Sequence, residues 1–313
     1  MKLQQLRYLR EVVKQGLNVS EAAEALYTSQ PGISKQIRLL EEELGVQILV
    51  RNGKRVVDLT EPGRIIVDIA DRMLKDAESL RAVGKEFGKE DTGTLTLATT
   101  PTQARYGLPP TIQRFVRQHP RVHLSLREGS PEQIVERVIE GTADLGIVTE
   151  YCPQLDNLLL LPCSQWSRGV MTPADHPLLK ERPLTLEAIA RYPILTYDFA
   201  FNADSPIRKA FDARNIHPNV ALTAVDADVI KTYVALGLGV GIVAGMAYDP
   251  ARDTSLRLLD AAHLFEAGMT RIALRRNAYL RKYVYDFIEA FAPHLSRPVV
   301  EKTMRGPGSD YEL

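Results

Sequence analysis

Apolar residues recur with more than one period along the chain, and the changes of period divide it. Over residues 1–60 the period is that of short helices. Leu3, Leu6, Leu9, Val12 and Val13 mark one helical face, which Gly16 ends. Asn18, with Glu21 three residues on, has the layout of a capping box that opens a second helix bearing Ala22, Ala23 and Leu26 on one face. The turn YTSQPG leads into a longer helix with Ile33, Ile37, Leu40 and Leu44 on its apolar side, ending at Gly45. Two helices joined by a short turn, the second with Pro near its start, form the helix-turn-helix pattern. Residues 46–60 alternate around RNGKR and predict a small β-hairpin wing.

Residues 61–91 predict one long amphipathic linker helix, with Pro62 near its start, where a missing N–H costs nothing. Ile66, Met73, Leu80 and Phe87 recur every seven residues, with Ile69 and Val83 at intervening positions and Asp76 interrupting the second series. That spacing marks a packing seam. A helix packed on its own domain would show the same stripe. Dimerisation is the favoured reading, because this helix lies between two domains and has little else to bury. From residue 92 strand-like runs (TLTLAT, VHLSLRE, DLGIVT, PILTY, NVALTAV, GVGIVA, TRIALR) alternate with helical stretches at 108–118, 131–140, 205–214, 226–235 and 279–291. This predicts an α/β domain with mostly parallel sheets over 92–300. Residues 301–313, closing on the polar RGPGSDYEL, are expected to be a loose tail.

The bulk numbers mainly exclude. A length of 313 residues suggests two domains, or three with small modules. No apolar run approaches the ~20 residues of a membrane span, and MKLQQLRYLR lacks a signal-peptide layout. The two cysteines, Cys152 and Cys163, are too few for a disulfide framework, and no His or Cys pair has zinc-ligand spacing. A cytoplasmic protein without metal, cofactor or membrane partner is expected. Lys plus Arg and Asp plus Glu both number 39, which excludes a polybasic binder. Residues 1–60 carry +2, residues 61–91 carry −2, and the rest is balanced.

Placement matters more than that balance. Thr28, Ser29, Gln30, Pro31, Ser34, Lys35 and Arg38 put short polar side chains at the start of the second helix and cations along one edge, the layout of a DNA recognition helix. Arg51, Lys54 and Arg55 crowd the wing turn, within reach of phosphates or a minor groove. Any one of these cations alone would read as a solvated surface charge; the combined head-plus-wing layout does not. In TLTLATTPTQARYGLPP a strand meets a hydroxyl-rich turn and a helix start. Open α/β sheets bind ligands at such strand ends, and helix starts favour anions. Thr100, Thr102 and Gln103 therefore form a candidate oxyanion cradle, with Thr149 at the end of DLGIVT able to face the same crevice; helix capping alone would also place threonines here.

Enzyme readings find little support. GLGVGIVAG lacks dinucleotide-fingerprint spacing and follows a helix; its glycines read as a helix end admitting a strand. There is no G-x-S-x-G elbow, and neither cysteine has a paired histidine in view. A transport-type solute-binding protein would fit residues 92–300 but not the reading head.

Residues 1–60 resemble the DNA-binding domain of LysR-type transcriptional regulators, with linker helix and α/β effector domain following in that family's order. More narrowly, MKLQQLRYL, LNVSEAA, TSQPGISKQIRLLEEELGVQI, TTPTQARY and DADVIKTYVALGLGVGIVA resemble the CysB/Cbl branch, which controls cysteine biosynthesis and sulfur assimilation. The resemblance implies a winged helix-turn-helix and an effector domain of two Rossmann-like subdomains, as in periplasmic binding proteins, with subdomain I at 92–165 and 267–292 and subdomain II at 166–266. It implies major-groove contacts from Gln30, Pro31, Ser34, Lys35 and Arg38, and effector contacts from Thr100, Thr102, Gln103 and Thr149, with Trp166 on the opposite lobe. Pro101 and Asn202 depart from the branch's usual His and Thr. The implied effectors are N-acetylserine, O-acetylserine, sulfate or thiosulfate. The implied partners are promoter DNA, further copies of the chain in a homodimer or homotetramer, and RNA polymerase.

Overall fold

A computed structural model describes residues 1–53, 55–87, 92–149, 155, 157–202 and 205–305. It divides into two compact units, residues 1–89 and 90–313.

The first unit contains α1 (Leu3–Lys14), α2 (Val19–Ala25), α3 (Gln30–Leu44), β1 (Leu49–Asn52), β2 (Arg55–Leu59) and α4 (Glu61–Phe87). Caps set the boundaries. Asn18 Oδ1 accepts from the N–H groups of Ser20 and Glu21 at 3.1 and 3.3 Å, and Ser29 Oγ accepts from that of Gly32 at 3.3 Å. Gly45 closes α3 at φ 69°, where a side chain would be strained. Leu6, Leu9 and Val12 meet Ile33, Ile37 and Leu40, and the wing adds Ile48, Leu49 and Val56 to this core.

Helix α4 corrects the expected seam. Ala70 and Leu74 are buried in the same core, with Ile66, Val67 and Met73 packed against it. Ile66 and Met73 are thus spent within the unit, because the first turns of α4 lie against α1. Ile65, Ile69 and Leu80 remain 59%, 41% and 73% exposed. At roughly 100° per residue these three and half-buried Val83 share an arc of roughly 60°. The side chain of Phe87 lies outside the described residues.

The second unit has two lobes. In lobe one β3 (Gly93–Thr99), α5 (Pro109–Gln118), β4 (Val122–Glu128), α6 (Pro131–Glu140), β5 (Leu145–Val148) and β6 (Leu158–Trp166) follow in sequence. Lobe two holds β7 (Arg168–Pro173), α7 (Leu186–Ala190), β8 (Ile194–Tyr197), α8 (Pro206–Asp212), β9 (Val220–Ala224), α9 (Ala227–Ala235), β10 (Val240–Ala244) and β11 (Leu256–Asp260). The chain then returns to lobe one with β12 (Gly268–Arg275), α10 (Lys282–Phe291) and α11 (Arg297–Arg305). The sheets run β4-β3-β5-β12-β6 and β11-β7-β10-β8-β9. Each has four strands running in one direction and one reversed strand, β12 or β7, that follows a crossing between lobes.

Strands β6, β7 and β11 escape the pattern reading. Pro162 interrupts β6 at a bulge opposite Thr270 and Arg271. The glycines of GLGVGIVAG do end a helix and admit a strand: a Cβ on Gly239 would stand 2.1 Å from the Pro193 carbonyl oxygen. The expected loose tail starts too early. Helix α11 runs to Arg305 and buries Val300, Thr303 and Met304; residues 306–313 lie outside the described residues.

Candidate functional site

In the first unit, Thr28, Ser29, Gln30, Pro31, Lys35, Arg38, Arg51 and Arg55 are exposed and Ser34 is half-buried. At roughly 100° per residue Gln30, Ser34, Arg38, Pro31 and Lys35 fall within an arc of roughly 140°, on the side of α3 away from Ile33, Ile37 and Leu40. Gln30 Nε2 donates to Ser34 Oγ at 3.3 Å, which holds its amide across that face. An open groove lies between the α1–α2 turn, Gln30 and the wing residues Arg55 and Val56. The Arg51 guanidinium is partly diverted from the expected role: it donates to Glu41 Oε2 at 3.1 Å. Glu41 Oε1 accepts from the N–H groups of Ile48 and Leu49 at 2.9 and 3.1 Å. Glu41 therefore ties α3 to the wing. Lys54 lies outside the described residues.

The second unit places its crevice where two sheet ends face each other. In lobe one β3 has β4 on one side and β5 on the other, so the chain reverses direction of winding between β3 and β5; lobe two repeats this at β8 and β10. Such switch points leave a gap at the carboxyl ends of strands. Thr100 follows β3 and Thr149 follows β5; Tyr197 ends β8 and Ala244 ends β10. All four line one cavity with Thr102, Gln103, Trp166, Phe199 and Val225.

Thr100, Thr102, Gln103 and Thr149 are each at most 8% exposed. The Ala244 N–H donates to Tyr197 Oη at 3.2 Å, and Tyr197 Oη lies 3.3 Å from Thr102 Oγ1. Phe199 stacks on Tyr197, with ring centroids 5.1 Å apart. Gln103 opens a π-helical turn, Gln103–Gly107, and its Nε2 donates to Thr270 Oγ1 at 3.3 Å. Such turns often mark functional sites. The Trp166 ring lies over Gly268, where a Cβ would come within 2.2 Å of it, and the Arg168 guanidinium sits 4.6 Å from its centroid. Trp166 Nε1 is buried without a hydrogen-bond partner, an orphan donor at the crevice wall.

Among the described residues no charged side chain lines the cavity, which offers hydroxyl, carboxamide, phenol and indole groups instead. Its volume is about 10 Å³, room for about one water. Among the described residues no cluster of His, Cys, Asp or Glu could hold a metal, and no helix is long and apolar enough to cross a membrane. Asn202 is not part of this wall. It is exposed at the end of the turn Asp198–Phe201, and Phe199 from that turn faces the cavity instead.

The family models agree with both units. Residues 3–64 match the bacterial regulatory helix-turn-helix protein model of the lysR family, and residues 88–296 match the LysR substrate binding domain. The chain belongs to the LysR family. It is 52% identical over 313 residues, the whole of both chains, to the HTH-type transcriptional regulator CysB of Burkholderia cenocepacia. The cofactor-binding domain of the Cbl transcriptional regulator superposes with a TM-score of 0.65 at 39% identity, covering 69% of this chain and 95% of that one. These place the protein in the CysB/Cbl branch of LysR regulators, as its motifs suggested. Full-length CbnR, solved with its target DNA, shares the fold at a TM-score of 0.59 and 20% identity over 95% of this chain and all of that one.

For this LysR regulator, then, sequence reasoning finds the lobe-one wall and Trp166 but misses Tyr197, Phe199, Val225 and Ala244. Trp166 is not on the opposite lobe as expected: it ends β6, paired with Gly268 of β12 in the lobe-one sheet. One signal was available: GVGIVA and PILTY are strands of the same kind as TLTLAT, so their ends were candidates for a second switch point.

Proposed function

We propose that the protein is a DNA-binding transcriptional activator of sulfur-assimilation and cysteine-biosynthesis genes, controlled by a small oxyanion or acylated amino acid held between its lobes. N-acetylserine, O-acetylserine, sulfate and thiosulfate are the candidate effectors. The observation that carries this reading is the uncharged, donor-lined cavity at facing switch points. Oriented neutral donors are well suited to an oxyanion, and the buried, unpartnered Trp166 Nε1 is ready to meet one. The similarity to CysB and Cbl supports the sulfur branch, and the face of Gln30, Pro31, Ser34, Lys35 and Arg38 supports a duplex partner.

A cavity of about 10 Å³ does not admit an acetylserine without movement. The mechanism we infer is a population shift: effector binding favours a different spacing of the two lobes, and so changes how copies of the chain sit on a promoter. Self-association runs through the exposed stripe Ile65, Ile69, Leu80 and Val83, in place of the seam that included Ile66 and Met73. RNA polymerase is the further partner at the promoter. The deciding experiment is a gel-shift series on a sulfur-assimilation promoter with each candidate effector. An altered complex with at least one of them is expected; an unchanged complex with all four overturns the effector assignment.

A further inference from the structure

The turn that brings Gln103 to the crevice also reaches into a buried charge cluster of the opposite lobe. Arg105 and Tyr106 belong to the lobe-one turn Gln103–Gly107, yet the Tyr106 ring packs against the apolar core of lobe two. Its Oη donates to Asp228 Oδ1 at 2.5 Å and accepts from Lys231 Nζ at 2.8 Å. Arg105 Nη1 donates to the other oxygen of the same carboxylate. Lys231, only 8% exposed, also donates to Asp253 Oδ2 and to the Ala247 carbonyl, both at 2.8 Å.

The charges of this cluster balance only when the lobes meet. Lobe two by itself supplies two carboxylates, Asp228 and Asp253, around one ammonium. Arg105 supplies the missing positive charge from lobe one. Withdrawing it leaves partly buried Asp228 with excess negative charge, and removing one partner of such a set is costly. Each lobe has its own apolar core, so neither requires this contact in order to fold.

We propose that Arg105 and Tyr106 are positioning residues that latch the Gln103 turn to lobe two and bias the lobes towards closure, so that an effector enters and leaves against this latch. The link to effector binding rests on the crevice being the effector site; the latch itself does not.

The single tryptophan of the chain, Trp166, lines that crevice and reports on its opening. In full-length, ligand-free protein, acrylamide quenching of Trp166 should rise about twofold for Arg105→Glu as an open state gains population. Arg105→Lys, which keeps the charge, should stay near wild type, and Tyr106→Phe should fall between. The difference should shrink in high salt, since the Arg105 side chain is half exposed. With N-acetylserine, Arg105→Glu should speed dissociation by about tenfold. Unaltered circular dichroism and melting would show that the variants fold. Wild-type quenching in Arg105→Glu, or an equal rise in Arg105→Lys, overturns the latch. If wild type responds to no candidate effector while the quenching difference persists, the latch stands and the effector reading falls.

Discussion

Replacing Glu41 by Ala should loosen the wing and abolish DNA binding while leaving the crevice intact. The Glu41 carboxylate is 11% exposed and accepts three hydrogen bonds, from the Ile48 and Leu49 amides and from Arg51. Bonds to a charged group contribute about 1.5–3 kcal/mol each, and a partly exposed ion pair about 1 kcal/mol or less. Water can reach part of the freed site, so the net local cost is about 3 kcal/mol rather than the full sum. At about 1.4 kcal/mol per decade, amides across residues 48–59 should exchange hydrogen about a hundredfold faster. Glu41→Gln, which keeps an acceptor, should lose roughly half of that. The assays are hydrogen exchange and gel shift on the full-length protein, with Trp166 fluorescence titration as the control. Unchanged exchange at Ile48 and Leu49 in Glu41→Ala would refute the tie; normal exchange with lost DNA binding would mean that Glu41 acts on DNA directly.

Thr100→Val removes a hydroxyl that accepts from the Gln103 N–H at 3.4 Å, and should abolish the effector response while gel shifts of unliganded protein stay normal; loss of both would point to misfolding. Gly268→Ala should displace the Trp166 ring, shifting its fluorescence and weakening effector binding by at least about tenfold, or about 1.4 kcal/mol. His176 Nδ1 accepts from the Leu178 N–H at 3.2 Å, and burial outweighs the neighbouring Asp175 carboxylate in pushing its pKa below the ordinary 6.5. A lowered histidine pKa favours the fold above 6.5, so this contribution is lost as pH falls from there through the depressed value. His176→Asn keeps an acceptor without titrating, and should flatten that part of the pH–melting curve.

What was legible in the sequence follows from what leaves a periodic or chemical trace. The recognition helix was readable because Ile33, Ile37 and Leu40 fix its buried side, so the opposite arc follows by subtraction. The hydroxyl-rich turn after TLTLAT was readable because three polar residues in four, Thr100, Thr102 and Gln103, are unusual between a buried strand and a helix. The linker helix was half legible. Its stripe is continuous in sequence, but α1 covers only the first turns, and no periodicity tells a residue facing its own domain from one a few tens of degrees away. Arg51 read as a wing cation for DNA alone, since sequence spacing does not show that the Glu41 carboxylate, ten residues away, pairs with it and holds the wing amides. Tyr197 and Ala244 were hidden for the opposite reason: at the ends of apolar strands they look like core.

That asymmetry between walls carries a consequence for effector choice. Lobe one contributes Thr100, Thr102, Gln103, Thr149 and the indole of Trp166, each with a hydrogen-bonding group, whereas lobe two contributes Tyr197, Phe199, Val225 and Ala244, mainly apolar surface. If the cradle takes an oxyanion as proposed, an inorganic sulfate satisfies lobe one and has little to offer Phe199 and Val225. An acylated amino acid places its carboxylate in the same cradle and its acyl carbons against the second wall, so only it joins the lobes through apolar contact. Burying about two acyl carbons is worth about 0.8 kcal/mol each. Phe199→Ala should therefore weaken N-acetylserine by about tenfold, or about 1.4 kcal/mol, and leave sulfate within about twofold. Calorimetric titration of both ligands on wild type and variant makes the comparison, with Val225→Ala as the smaller change. Equal losses for the two ligands would mean that Phe199 shapes the cavity as a whole, acting through its stack on Tyr197, and that the walls do not divide the ligand between them.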